Sequence, residues 1–392
     1  MTTGSAVGGK PAPDPASSGL EGIVAARTPL SEVDGQKGVL TIRGYDVEEI
    51  ASQITLEEAA FLLWHGKLPT RTELDDLHRR LVSYRRLPEE ARVALQVAAK
   101  RMLPMDALRF VVASLTADDP APGDNSRDVN QMRAEMLVAR VPVIVGTYQR
   151  LRSGGQPVEP RADLGITANL LFQMTGDEPD PAKVRGLETY FVTVTDHGMN
   201  ASTFTTRVIA STASDMVSAV VGGIGALKGP LHGGAPGPAL DMIDEIGTPD
   251  RAEAWMKGAI SQGKRIMGFG HRVYKVRDPR AEVLYKAAWL LAEETGEQGS
   301  LDLAREVERV AVNVLEEAKP GRDLNTNVEF YTALLLRDVG LTPDLFSPAF
   351  GIGRTVGWTA HIIEHQDGGR LIRPQSEYNG PRGLKFVPLD NR

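Results

Sequence analysis

Apolar side chains recur along most of this chain at intervals of three and four residues, the spacing that lines one face of an α-helix. Leu303, Val307, Val310, Ala311, Val314 and Leu315 form one such stripe, separated by polar and charged positions. Leu74, Leu77 and Leu81 form another. In TLEEAAFLLWHGKLP, Thr55 and Glu58 have the spacing of a capping box, and Gly66 followed by Pro69 predicts a helix stop. LPEEARVALQVAAKRM starts with a proline and two acids and continues as an alanine-rich body. Only GVLTIRG, residues 38 to 44, reads as a short strand. No β–α alternation recurs, so a parallel sheet is not expected and the chain reads as nearly all-α.

The helical series is broken by two polar Pro/Gly loops, DDPAPGDNSRD at 118 to 128 and RSGGQPVEPRAD at 152 to 163. Neither has the look of a long interdomain linker. Glycine gathers at 222 to 237 and at 351 to 357, which predicts hinges or close helix contacts. The first 18 residues are rich in Gly, Pro, Ser and Ala, lack the apolar core of a secretion signal, and predict a disordered tail. The longest apolar run, MVSAVVGGIGAL from Met216, falls short of the ~18 residues of a membrane span.

Composition narrows the chemistry. The 392 residues carry a net charge of −7, so no broad basic field draws in nucleic-acid phosphates. Cysteine is absent, which removes disulfides, cysteine-ligated zinc, iron–sulfur clusters and thiol catalysis and fits a cytoplasmic location. Of seven histidines, His65, His78, His361 and His365 lie in helical stretches and read as packing or surface residues. His361 and His365 have the i, i+4 spacing of two metal ligands, but the order is HIIEH, with no defined third ligand, so no metal site is assigned. The other three sit in richer settings: DHGMNASTF around His197, KGPLHGGAPGPA around His232, and GFGHRVYKVRDPRAE around His271. Neighbouring glycines allow a ligand or a second backbone to come close, and they also suit ordinary turns. GIGRTVGW places Arg354, and LIRPQSEYNG places Arg373, beside apolar or rigid neighbours. Each reads singly as half of a structural salt bridge. With Arg280 they could grip a ligand bearing more than one carboxylate. Glu329, in NTNVEFYTA, could be a solvated helix residue, a structural partner or a catalytic base.

Taken in order, GLEGIVAARTPLSEVDG, IRGYDVEEIA, AAFLLWHGKLP, DHGMNASTF, GPLHGGA, GFGHRVYKVRDPRAE, NVEFYTA, GIGRTVGWTAHIIE and IRPQSEY resemble the citrate synthase family across nearly the whole chain after the tail. The resemblance implies a two-domain helical fold with a short β element near the N-terminus. It implies a large domain of residues 19 to 221 and 325 to 392, and a small closing domain of residues 222 to 324. It also implies a homodimer that condenses acetyl-CoA with oxaloacetate and hydrolyses the citryl thioester, with no metal, permanent cofactor, nucleic acid or membrane. Carried over by residue, His232 holds the thioester oxygen and His271 polarises the ketone. His197, Arg280 and Arg354 bind oxaloacetate, and Arg373 reaches the partner subunit's site. Lys264, Arg265 and Lys275 are candidate contacts for CoA, or solvated surface charges. The family's proton-abstracting base is an aspartate, and here Glu329 stands in its place. That departure keeps two other readings open: a 2-methylcitrate synthase using propionyl-CoA, and a catalytically impaired paralogue that binds the ligands in a regulatory role.

Overall fold

The computed structural model describes residues 19 to 392 apart from 21, 234, 235, 272 and 297 and the side chain of Pro236. The expected tail over residues 1 to 18 therefore lies outside the described residues. The chain divides into two units, Thr28–Leu371 and the N-terminal residues up to Arg27 taken with Ile372–Arg392.

The larger unit contains sixteen α-helices among the described residues, and they begin and end where local chemistry directs. Thr55 and Glu58 close the capping box that starts Leu56–His65, and Gly66 ends that helix at φ +77° with its N–H on the Leu62 carbonyl. A second box, Thr70 with Glu73, starts Arg71–Tyr84, whose Leu77 and Leu81 are fully buried. The helix Gly299–Ala318 buries Leu301, Ala304, Val307, Val310, Ala311, Val314 and Leu315. Leu303, counted in the sequence stripe, lies off that face and is half-buried.

The β element is larger than the single strand read from the pattern. Val39–Ile42 is the middle strand of an antiparallel meander, flanked by Ser31–Asp34 and Tyr45–Asp46, with Val33 opposite Leu40 and Ile42 opposite Tyr45. SEVD has one apolar residue and so no alternation to read. The Arg43–Gly44 turn has positive φ at both positions, 49° and 90°, as a type I′ hairpin requires.

Phe346–Gln366 is the helix on which the interior is organised. It is buried on nearly every side, against Arg127–Arg152, Pro181–Val194, Ala201–Ala210, Met216–Leu227 and Leu56–His65. Such enclosure needs small residues where backbones meet. A Cβ on residue 353 would fall 2.8 Å from the Phe191 carbonyl oxygen, and one on residue 357 would fall 2.2 Å from that of Thr195. Gly222 and Gly223 play the same part against Ile209 and Thr206. The two glycine clusters thus make close helix contacts. Residues 222 to 324 include the helices Pro236–Ile246, Ala252–Ser261, Pro279–Thr295 and Gly299–Ala318.

The described residues of the smaller unit are irregular apart from a 3₁₀ turn at Leu389–Asn391. Leu384, Phe386 and Leu389 are exposed on it, and so is Arg373. No described helix is long and apolar enough to cross a membrane.

Gly357→Ala is expected to lower the melting temperature markedly, because the added methyl meets a backbone oxygen that cannot swing aside; overpacking of this kind costs ~1–3 kcal/mol. Gly258→Ala, on a helix with open space around the new Cβ, is expected to leave the melting temperature unchanged or higher. Thermal denaturation of the two variants beside the parent checks the contrast.

Candidate active site

Three histidine-bearing segments meet near the buried helix. Asn200 caps Ala201–Ala210, its side-chain oxygen accepting the Thr203 N–H at 3.1 Å. One residue into that helix, the Ser202 N–H donates to His232 Nε2 at 3.3 Å, and the Ser202 hydroxyl lies 2.8 Å from the same nitrogen. A nitrogen that accepts a backbone N–H carries no proton, so the neutral ring bears its proton on Nδ1. Trp358 Nε1 holds the Ser202 hydroxyl from the buried helix at 3.1 Å. Burial first, and then the Arg354 charge, push the His232 pKa down to about 4. The helix N-terminus acts in the same direction.

His271 has the opposite tautomer. Its Nδ1 accepts N–H bonds from Val273 at 3.0 Å and Tyr274 at 3.2 Å, which leaves the proton on Nε2. Burial, followed by Arg280, brings its pKa to about 4. The His197 ring centre lies 5.6 Å from that of His271, and its Nε2 is 3.1 Å from the Tyr274 hydroxyl. Burial, with Arg280 and Arg354 adding to it, holds the His197 pKa well below the usual range.

The two arginines of this cluster differ. Arg280 is buried in a two-point pair with Asp278, at 3.0 and 2.7 Å, and Asp278 also caps the helix Pro279–Thr295 by accepting the Arg280 N–H. Arg354 is 1 % exposed and, among the described residues, has no carboxylate within ion-pair distance. Its Nε donates to the Val194 carbonyl at 2.8 Å, its plane lies over Phe350 at 4.8 Å, and its buried Nη1 has no partner among the described residues. Burial lowers its pKa to about 10, with Asp196 opposing that shift and Arg280 adding to it. Among the described residues, the salt bridge read as one option from the sequence is therefore not formed at Arg354. A buried guanidinium with an unused N–H keeps donor capacity for an anion.

Glu329 enters through NTN. Asn327 caps Val328–Val339 by accepting the Glu329 N–H at 3.0 Å, while its Nδ2 donates to the Gly270 carbonyl at 2.9 Å. Around it, Gly270 N–H reaches the Asn325 carbonyl at 2.7 Å and Asn327 N–H reaches that of Gly268 at 3.0 Å. Gly268 has φ +82°, and a Cβ there would lie 2.9 Å from that of Phe330. The carboxylate of Glu329 thus hangs from the same backbone pairing that carries His271. It is half-buried and makes no hydrogen bond or ion pair among the described residues. Burial pushes its pKa up to about 7, against the pull of Arg280 and Arg265.

The β meander buttresses both sides, which the sequence did not reveal. Ser31 Oγ accepts the Gly198 N–H at 2.9 Å and donates to Asp196 at 2.5 Å. At the turn, the Gly35 carbonyl accepts the Lys275 N–H at 2.9 Å, and a Cβ on residue 35 would fall 2.2 Å from the Val273 oxygen. Tyr274, Asp278, Ser202 and Asn327 were likewise not assigned from sequence. Of these, Asp278 before Pro279 carried a readable helix-start signal. Lys264, Arg265 and Lys275 are exposed; Arg265 is near enough to act on Glu329, and Lys275 on His271. Arg373 belongs to the smaller unit.

The HIIEH histidines are held by protein groups. Arg207 donates to His361 Nδ1 at 2.9 Å, His361 Nε2 donates to Asp196 at 3.2 Å, and His365 Nε2 donates to the Arg370 carbonyl at 3.1 Å. Among the described residues, no group of three or more His, Asp or Glu could hold a metal ion.

The cluster thus brings neutral histidines of fixed tautomer together with a buried arginine and a carboxylate of raised pKa. Comparison with known proteins gives the class. Residues 19 to 375 match the family described as citrate synthase, C-terminal domain. The chain is 39 % identical over 378 residues to citrate synthase 2 of Bacillus subtilis, covering 96 % of this chain and 99 % of that protein. It is 36 % identical over 383 residues to 2-methylcitrate synthase 2 of Corynebacterium glutamicum, covering 95 % and 97 %. Among solved structures, the citrate synthase of Thermoplasma acidophilum in a ternary complex with carboxymethyl coenzyme A and oxaloacetate is similar at a TM-score of 0.88 and 30 % identity, over 95 % of this chain and 98 % of that one. The protein belongs to the citrate synthase family, and it is an acyltransferase of that type, forming a carbon–carbon bond.

The raised pKa of Glu329 has a consequence for stability. Its charged form is disfavoured in the fold, so the stability it contributes is present below about pH 4.5 and lost as pH rises through about 7. Glu329→Gln is expected to raise the melting temperature at about pH 8 and to change it little near pH 4. Melting curves at the two pH values check the sign.

Proposed function

We propose that the protein condenses acetyl-CoA with oxaloacetate and hydrolyses the resulting citryl thioester to citrate and CoA, with Glu329 as the base. The observation that carries this reading is the combination of two neutral histidines of opposite tautomer with Glu329 and with Arg354, whose Nη1 has no partner among the described residues. In the proposed reaction the Glu329 carboxylate takes a proton from the thioester methyl. His232 Nδ1–H donates to the thioester oxygen, so that base and electrophile act together on a very weak acid. The new carbon nucleophile attacks the ketone. His271 Nε2–H donates to the oxygen as it gains charge. Arg280, Arg354 and His197 hold the carboxylates of oxaloacetate, and Lys264, Arg265 and Lys275 meet the acyl-CoA. Water then cleaves the thioester, and CoA leaves as the thiol. Acyl-CoA is a co-substrate in this scheme, and no permanently bound cofactor takes part.

A second reading, 2-methylcitrate synthesis from propionyl-CoA, is supported by the Corynebacterium relative. The acid clamp would be unchanged. One methylene is worth only ~1–3 kcal/mol of discrimination, so activity on both acyl-CoAs is expected.

The homodimer is part of the same proposal, with Arg373 reaching the partner subunit's site. Exposed Val93, Val97, Leu103 and Phe110, at the helices Glu89–Arg101 and Pro104–Ser114, support an apolar contact surface. Residues 222 to 324 are proposed to close over the substrates, which scattering would read as a smaller radius of gyration on adding oxaloacetate and a CoA analogue.

Purified protein given acetyl-CoA and oxaloacetate is expected to release thiol, at a rate that rises as pH passes through about 7 and Glu329 loses its proton. Glu329→Gln should lower that rate by about 10²-fold or more. Glu329→Asp withdraws the carboxylate by roughly 1 Å and should cost about a hundredfold if the site is built for the longer side chain. No thiol release from folded dimeric protein, with oxaloacetate still bound, would instead support the ligand-binding paralogue.

Co-expressing Arg373→Gln with His271→Asn should restore about a quarter of wild-type activity from two inactive chains, since each mixed dimer holds one complete site. Absence of recovery would place Arg373 outside the partner's site.

A further inference from the structure

We propose that His361 is a positioning residue for the oxaloacetate clamp, holding Asp196 so that His197 and Arg354 present one fixed face to the ligand. This rests on the substrate assignment above.

The observations form a continuous chain of bonds. Thr28 Oγ donates to Glu364 at 2.9 Å, and Arg207 Nη1 lies 2.5 Å from the other oxygen of Glu364. The same Nη1 donates to His361 Nδ1, and His361 Nε2 lies 3.2 Å from both oxygens of Asp196. Ser31 completes the chain by bonding Asp196 and the Gly198 N–H. Asp196 and His361 are fully buried, and Arg207 is nearly so. An arginine can only donate, so Nδ1 of His361 has no proton and Nε2–H must face Asp196. The ring therefore sits neutral between a cation and an anion. It converts the Arg207–Glu364 pair into a directional hydrogen bond at Asp196.

That bond matters because of what flanks it. Arg354 and His361 are seven residues apart on one helix and so share a face. Gly357, between them, lets this face meet the Thr195–Asp196 backbone. Arg354 holds the Val194 carbonyl, His361 and Ser31 hold Asp196, and Ser31 holds Gly198. His197, within this run, turns instead to Tyr274 and the His271 ring. Asp196 is also the main countercharge acting on Arg354. Losing His361 would leave Arg207 with Glu364 alone and Asp196 with one partner fewer, and both clamp residues would lose their register. The acyl-CoA contacts lie on other segments.

The test compares His361→Leu, His361→Gln and wild type, as purified dimers, for both substrates. Glutamine can donate from Nε2 to Asp196 and accept from Arg207 at Oε1. We expect His361→Leu to raise KM for oxaloacetate about tenfold or more, to leave KM for acetyl-CoA within about twofold, and to shrink the thermal shift that oxaloacetate produces. His361→Gln should recover most of the oxaloacetate KM. Equal changes in both KM values, no change in either, or a glutamine variant no better than leucine would overturn the proposal. If His361→Leu does not fold, Ser31→Ala removes the other bond to Asp196, and the same one-sided rise in KM is required of it. A wild-type protein that bound oxaloacetate without turnover would count against the reaction assigned above, while the thermal shifts would still decide the role of His361.

Discussion

The contact that organises this molecule is the near-backbone approach of Phe346–Gln366 to the run from Phe191 to Asp196. Gly353 and Gly357 leave no room there for a methyl group. Because the helix is enclosed, each polar group on it must find a partner inside the protein. Thr355 and Thr359 bond to carbonyls of their own helix, Trp358 bonds to Ser202, and His361 bonds to Asp196. Arg354 Nη1 is the exception. The same packing that fills the core therefore delivers one unsatisfied cation to the place where three histidine segments converge.

Holding an unpaired Arg354 and an unpaired Glu329 in such surroundings costs stability. Their pKa values shift accordingly, one down and one up, and both have burial as their first cause. A bound dianion would relieve that cost at Arg354. The histidines incur no such charge penalty, because burial and nearby arginines keep them neutral and backbone N–H groups choose which nitrogen carries the proton. Neutral imidazoles with set tautomers can donate a hydrogen bond to an oxygen gaining charge without first losing one to water.

Two short segments tie these parts together. NTN pairs with the loop before His271 and caps the helix of Glu329, so the proposed base and the proposed ketone-polarising group move as one piece. The N-terminal meander touches the His197 segment through Ser31 and the His271 loop through Gly35. A single residue in either segment can thus disturb two sides of the site at once.

Much of this was legible in sequence where the determinant is local. Helix starts at Thr55 and Pro88, the stop at Gly66, the stripe ending at Leu315 and the glycine clusters depend on spacing and backbone freedom, which a linear pattern records. The identities of the proposed site residues were legible as ordered motifs. What the pattern could not carry was partnership. Nothing in SEVDG announces a strand that grips Asp196. Nothing in HIIEH tells a metal pair from a ring held between Arg207 and Asp196. Glu329 is the sharpest case: its position was readable, but its pKa of about 7 was not. Desolvation and the distance to Arg280 and Arg265 are properties of space, and residues tens or hundreds of positions apart acquire them only when the chain has packed.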